Sequence, residues 1–246
     1  MNLYGLIGYP LGHSFSKQYF TEKFSLLGLT DHSYEAFAIK TISELPDLLK
    51  ANGELCGLNV TIPYKQDILP FLTDVSHLPE GVFACNCISI SGEQLIGYNT
   101  DVIGFEQSLV TQLKPQHSRA LILGNGGAAE AIKYVLTKLN ISFKVVSRKL
   151  HEGSDLIYGD LDETIIKEHL LIINTTPLGT FPNVAEYPAI PYHHLTPAHY
   201  LFDLVYNPSK TVFLQKGEAK GAIVKNGYEM LVLQAEESWR IWNENI

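Results

Sequence analysis

Polar residues able to do chemistry cluster at a few places in this chain, each where an apolar run ends. Gly12-His13-Ser14-Phe15-Ser16 puts two hydroxyls and backbone N–H groups at an expected helix start, a natural seat for a carboxylate. Asn59-Val60-Thr61-Ile62-Pro63-Tyr64-Lys65 carries an amide, a hydroxyl and an ammonium from a strand end into a helix. Asn86 and Asn99-Thr100-Asp101 complete the set. Taken singly these are ordinary residues: Ser14 and Asp101 suit helix caps, and Lys65 suits a solvated helix face. Their joint occurrence is what turns the reading toward a site.

A second cluster has a more defined chemistry. Gly124-Asn125-Gly126-Gly127-Ala128-Ala129 follows an apolar strand and opens a helix, the context a dinucleotide-binding G-x-G-x-x-[GA] turn requires. The first glycine permits the turn, the second lets backbone approach a pyrophosphate, and Ala129 is small enough for helix to pack on strand. The helix start supplies N–H groups and a positive dipole end. Gly124, Asn125, Gly126, Gly127 and Ala128 are therefore candidate cofactor contacts. The following strand ends in Ser147-Arg148-Lys149, where an NAD site would place Asp or Glu for the ribose hydroxyl. Arg148 offers a planar charged fork and Lys149 a second charge, so a 2′-phosphate, and hence NADP(H), is favoured over NAD(H).

The elements that must position these groups alternate between strand and helix. Strands are expected over residues 3–9, 33–39 and 55–60, with helices over 14–27 and 43–51 and a short helix over 63–69. Two short strands flank Ser91-Gly92, and a long helix follows Asp101 to about residue 113. Lys114-Pro115-Gln116-His117 reads as a linker. A new β-α-β pattern then begins: strand 120–123, helix 126–139, strand 143–146, later strands 170–173 and 200–205, a helix from 209, a strand 222–224 and a last helix from 228. The result is an α/β chain in two lobes.

With 246 residues, 46% of them hydrophobic and 18% charged, the chain can build one large domain or two small ones, and disordered or fibrous classes are excluded. A formal net charge of −8 argues against nucleic acid and anionic membranes as partners. Three cysteines suit a reducing compartment rather than a disulfide scaffold, and Cys85 and Cys87 lack the second pair a zinc ribbon needs. The first eight residues do not read as a signal peptide and no apolar run reaches about 18 residues, so a cytoplasmic protein is expected.

In this order, S-x-S at Ser14 to Ser16, N-V-T-x-P-x-K at Asn59 to Lys65, A-x-N at Ala84 to Asn86, N-T-D at Asn99 to Asp101, G-x-G-G-A at Gly124 to Ala128, D-x-x-Y-N-P at Asp203 to Pro208 and G-x-x-M-L-x-x-Q at Gly227 to Gln234 resemble the shikimate dehydrogenase family over nearly the whole chain. The resemblance implies NADPH-dependent, reversible reduction of 3-dehydroshikimate to shikimate, on the route to aromatic amino acids. It makes Lys65 the catalytic proton donor and acceptor and Asp101 its carboxylate partner. Ser14, Ser16 and Tyr206 match groups that hold the substrate carboxylate; Asn59, Thr61, Asn86 and Gln234 match groups that read the ring hydroxyls. Ser147, Arg148, Lys149, Leu204 and Gly227 join the glycine-rich turn as cofactor contacts, with no metal. The implied fold is a mixed-sheet substrate domain, residues 1–101 plus 228–246, and a Rossmann-like NADP domain, 102–227, with the active site in the cleft between them. A monomer or homodimer is expected.

Three departures stand out. The family's usual N-R-T is Ser147-Arg148-Lys149, its A-V-N-T is Ala84-Cys85-Asn86-Cys87, and residues 150–160 lack helical periodicity where the family has a helix, so a shortened lobe with a loop is expected there. Two alternatives stay open: a quinate or quinate/shikimate dehydrogenase, and a non-catalytic NADP(H)-sensing module of the same fold. Retention of both Lys65 and Asp101 speaks against the second.

Overall fold

The computed structural model describes residues 2–11, 15–150 and 152–244. The chain divides into two compact units, 1–103 with 234–246, and 104–233.

The first unit is built on β1 (Asn2–Gly8), α1 (Phe15–Leu26), β2 (His32–Ala38), α2 (Leu45–Ala51), β3 (Leu55–Val60), β4 (Cys87–Ser91), β5 (Gln94–Tyr98) and the start of α3 (Thr100–Val110). Its sheet runs β2-β1-β3-β4-β5, parallel across the first three strands and antiparallel across the last two. Strand β1 is apolar along its length because it is paired on both sides and covered on both faces. One face packs Leu3, Ile7, Leu58 and Ile68; the other buries Tyr4, Phe20 and Trp242. Trp242 stacks on Tyr4 at 4.8 Å and donates its indole N–H to the Ile88 carbonyl at 3.0 Å. The last helix is thereby fixed against this sheet.

The second unit continues with β6 (Arg119–Leu123), α4 (Gly127–Lys138), β7 (Ser142–Ser147), β8 (Leu156–Ile157), α5 (Glu163–Glu168), β9 (Leu171–Asn174), β10 (Tyr200–Asp203), α6 (Val212–Glu218), β11 (Ile223–Lys225) and the first turns of α7 (Tyr228–Glu244). Its six strands are all parallel in the order β8-β7-β6-β9-β10-β11. That is the doubly wound order 3-2-1-4-5-6, whose direction of winding reverses between β6 and β9. The core lies under Leu121, Leu123, Ile172, Leu201 and Phe213.

Several elements differ from the sequence expectation for local reasons. Residues 63–69 do not form a helix: the Lys65 carbonyl accepts from the Cys85 amide at 2.7 Å, which takes it out of any helical ladder, and a 3-10 turn follows only at Leu69–Phe71. The helix expected from residue 209 starts at Val212, because Thr211 caps it. Helix α5, too short to leave a periodic signature, is started by the Asp162 carboxylate accepting from the Ile165 amide at 2.8 Å. Between β7 and β8 no helix is present among the described residues, yet the third strand of the Rossmann half survives as a two-residue pairing. No helix among the described residues is long and apolar enough to cross a membrane.

Candidate functional site

In the first unit several of the polar residues singled out by sequence share one network. Lys65 Nζ donates to Asp101 Oδ2 at 2.6 Å, with side chains only 17% and 5% exposed. Asp101 occupies the first turn of α3, where the positive end of the helix dipole favours a carboxylate. Asn86 fixes that helix start from below: its Oδ1 accepts from the Thr100 amide at 2.6 Å and its Nδ2 donates to Thr100 Oγ1 at 3.0 Å. Asn99 ties the same turn to the Ala84 carbonyl at 2.8 Å. The residues of the N-T-D and A-x-N motifs therefore hold one another, and the carboxylate they position holds the ammonium.

Asn59, near the end of β3, accepts from the Tyr34 hydroxyl at 2.8 Å and donates to Ser238 Oγ at 2.9 Å. Ser16 hydrogen-bonds the Tyr34 phenol. Thr61 is half-buried and continues the β3 pairing through its amide to the Ile7 carbonyl at 2.9 Å. Gln234 sits one turn before Ser238 on α7, its carbonyl accepting the Ser238 hydroxyl at 2.9 Å. Ser14 lies outside the described residues. Burial pushes the Cys85 thiol up to about 12 and the Cys87 thiol well above its ordinary range, so both stay neutral beside the Lys65–Asp101 pair. Tyr34 and Ser238 were not legible as site residues: one lies mid-strand and the other mid-helix, and only their partners mark them.

In the second unit the glycine-rich turn lies at the carboxyl end of β6, beside the point where the strand order reverses. Gly124 has φ +108°, and a Cβ there would meet Thr175 Oγ1 at 2.8 Å, so both conformation and space demand glycine. At Gly126 and Gly127 the space a Cβ would fill is open, and no side chain caps the start of α4. Gly124, Asn125 and Gly126 line a concavity of about 750 Å³ that Arg148, Lys149, Tyr158 and Thr176 also line. Lys133 Nζ donates to Asn125 Oδ1 at 2.5 Å and orients the loop side chain. Ala128 follows in the first turn of α4.

Ser147 is buried and donates to the Lys149 carbonyl at 2.5 Å, which curls the strand end so that Arg148 and Lys149 stand exposed at the rim. Burial pushes the Tyr158 phenol up, against the nearby Arg148 charge that draws it down. A helix start for a pyrophosphate, a cationic strand end for a 2′-phosphate and a groove of this size fit NADP(H). Thr175 and Thr176 belong to this wall and were missed by sequence, although a polar pair straight after an apolar strand is the same signal that marked the other segments. Leu204 and Gly227 are brought together: a Cβ on Gly227 would lie 2.1 Å from the Leu204 carbonyl oxygen. Tyr206, half-buried two residues further, is carried by this second unit and not by the unit that holds Ser16.

A doubly wound parallel sheet with a dinucleotide cradle, attached to a mixed sheet with a buried lysine–carboxylate pair, defines the class of two-domain nucleotide-dependent dehydrogenases. Residues 6–88 match the shikimate dehydrogenase substrate binding domain. The NADP(+) shikimate dehydrogenase of Caldicellulosiruptor saccharolyticus is 35% identical over 96% of this chain and 90% of its own length. The shikimate 5-dehydrogenase of Listeria monocytogenes, solved with shikimate and NAD, superposes with a TM-score of 0.86 at 28% identity, covering 99% of this chain and 92% of that one. The shikimate 5-dehydrogenase of Thermus thermophilus, solved with NADP(H) and shikimate, gives 0.85 at 28% identity over 99% and 94%. The chain belongs to the shikimate dehydrogenase family.

Proposed function

We propose that this chain catalyses the reversible, NADPH-dependent reduction of 3-dehydroshikimate to shikimate, a step toward chorismate and the aromatic amino acids. The observation that carries the reading is the 2.6 Å Lys65–Asp101 pair set among the amides and hydroxyls of the first unit. A small polyol acid has little apolar surface to bury, so its recognition must come from such dense hydrogen bonding.

Within this reading the first unit binds substrate and the second binds NADP. Ser14, Ser16 and Tyr206 hold the substrate carboxylate, and Asn59, Thr61, Asn86 and Gln234 read the ring hydroxyls. Gly124, Asn125, Gly126, Gly127 and Ala128 present backbone to the pyrophosphate, Ser147, Arg148 and Lys149 take the 2′-phosphate end, and Leu204 with Gly227 meets the nicotinamide end. The chemistry supplied by the bound nicotinamide is hydride transfer to or from the carbonyl carbon. Lys65 gives a proton to the oxygen in reduction and takes it back in oxidation. Asp101 holds the ammonium in place through that exchange and orients it. Three free thiols, Cys56, Cys85 and Cys87, support a reducing, cytoplasmic setting.

Steady-state assays of purified protein with shikimate or quinate against NADP+ or NAD+ test the proposal. The expected result is the highest kcat/KM for shikimate with NADP+. Turnover of quinate in preference to shikimate would replace the substrate, and absence of turnover with NADP+ binding intact would leave only a sensing module.

A further inference from the structure

The Asn59 side chain has almost no hydrogen-bonding freedom left. Its Nδ2 donates to Ser238 Oγ at 2.9 Å and to the Asn86 carbonyl at 3.3 Å, and its Oδ1 accepts from the Tyr34 hydroxyl at 2.8 Å. The backbone carbonyl can only accept, which fixes which end of the amide is nitrogen. A carboxamide carries two N–H donors and two acceptor lone pairs, so both donors are used and one lone pair on Oδ1 remains.

Neither partner is loose. Tyr34 is buried, its ring stacks on Phe20 with centroids 4.7 Å apart, and its phenol is also held by Ser16. Ser238 is fully buried, donates to the Gln234 carbonyl and hydrogen-bonds the Cys87 thiol. A chain of contacts thus runs from Ser16 through Tyr34, Asn59 and Ser238 to the Gln234 backbone, and its two ends and its middle are residues assigned to substrate.

We propose that Tyr34 and Ser238 are positioning residues that fix the polarity of Asn59, so that it meets the substrate only as a hydrogen-bond acceptor and selects a ring hydroxyl presented as a donor. This inference rests on the shikimate reading above. Its consequence is selectivity: with the amide locked, a substrate group that can only accept would face a lone pair, whereas an amide released from either partner can turn over and offer its N–H instead.

The test is a pair of double-mutant cycles, Tyr34→Phe and Ser238→Ala, each alone and combined with Asn59→Ala, read as shikimate KM, kcat and NADP+ KM, with thermal melting as the check on folding. Each single variant should raise shikimate KM about tenfold, the size of one lost hydrogen bond near 1.4 kcal/mol, while NADP+ KM stays put and kcat falls by much less. Neither should add to the loss caused by Asn59→Ala, because both act through that amide. Additive losses, or an unchanged shikimate KM in either single variant, would overturn the proposal. If Tyr34→Phe failed to fold, Ser238→Ala, an exchange to the best helix former within α7, decides the matter alone. A wild type that did not turn over shikimate would overturn the functional reading and this inference with it; turnover with additive losses would overturn the positioning role only.

Discussion

Lys65 and Asp101 meet at 2.6 Å although 36 residues separate them, and the carboxylate is the more deeply buried of the two. The pair is held through backbone at both ends: the Lys65 carbonyl accepts from the Cys85 amide, and the turn that carries Asp101 is bound by Asn86 next door. One short segment, residues 84–86, therefore sets the position of both the ammonium and its counterion. A buried pair with one member removed leaves an uncompensated charge, so the two side chains are not interchangeable with neutral ones.

Lys65→Ala should lower kcat about 10²- to 10⁴-fold, the usual worth of a positioned acid or base, with a much smaller change in shikimate KM. Initial rates at saturating NADP+ measure it, and a variant with near wild-type kcat would remove Lys65 from the chemistry.

Arg148→Ala should raise NADP+ KM by at least about tenfold and leave NAD+ kinetics nearly unchanged, because only NADP+ carries the phosphate a charge-assisted contact can grip. A Ser147→Asp/Arg148→Ala double variant should shift preference further toward NAD+. Comparing kcat/KM for the two cofactors decides this; equal damage to both would reduce the cationic strand end to a solvated surface feature.

Gly227→Ala should perturb the second unit, since the new methyl would lie 2.1 Å from the Leu204 carbonyl oxygen and backbone cannot swing aside as a side chain can. Overpacking of this kind costs about 1 to 3 kcal/mol, at roughly 2 to 4 °C of Tm per kcal/mol for a chain of this size. We expect a lower Tm together with a raised NADP+ KM. A variant with unaltered Tm would show that β10 and the start of α7 move apart freely.

Asp203 gives a pH prediction. It is fully buried and accepts from Thr211 Oγ1 at 2.5 Å, Asn174 Nδ2 at 2.9 Å and the Val205 amide at 3.0 Å, yet burial outweighs these bonds and pushes its carboxyl from 3.8 up to about 6. The folded chain thus keeps the proton where the unfolded chain has lost it, so this residue's contribution to stability is full below about pH 4 and is lost as pH rises to about 6. The loss is on the order of 3 kcal/mol at about 1.36 kcal/mol per pKa unit. The Tm of wild type relative to Asp203→Asn should therefore fall by several degrees between pH 4 and 6.5 and level off above. A difference that stays constant with pH would contradict the assignment.

Much of this was legible in the sequence because strand ends announce themselves. The apolar run 120–123 followed by glycines could only feed a tight β-α turn, and the sheet order places that turn beside the reversal of winding. Lys65 and Asp101 were legible as residue types, but their contact depends on Asn86 gripping the start of α3, which no spacing encodes. The helix expected at 63–69 failed because one long-range bond, Cys85 amide to Lys65 carbonyl, outweighed a local preference. Tyr34 and Ser238 were invisible for the opposite reason: an aromatic in a strand and a serine in a helix look like ordinary packing until the amide between them is seen.

The connection from β7 to β8 leaves the sheet at Ser147 and returns through Asp155, whose amide donates to the Val145 carbonyl at 2.9 Å and whose carboxylate accepts from the Val145 amide at 2.7 Å. Both bonds join the same two residues, so the far end of the connection is pinned to β7 two positions before its near end leaves the strand. On the proposed reading, in which Ser147, Arg148 and Lys149 take the 2′-phosphate, the coenzyme-selecting residues stand at the near end of a connection whose far end is anchored without them. Exchanging them by loop grafting, or by natural drift, should therefore leave that anchor and the Lys65–Asp101 pair in place.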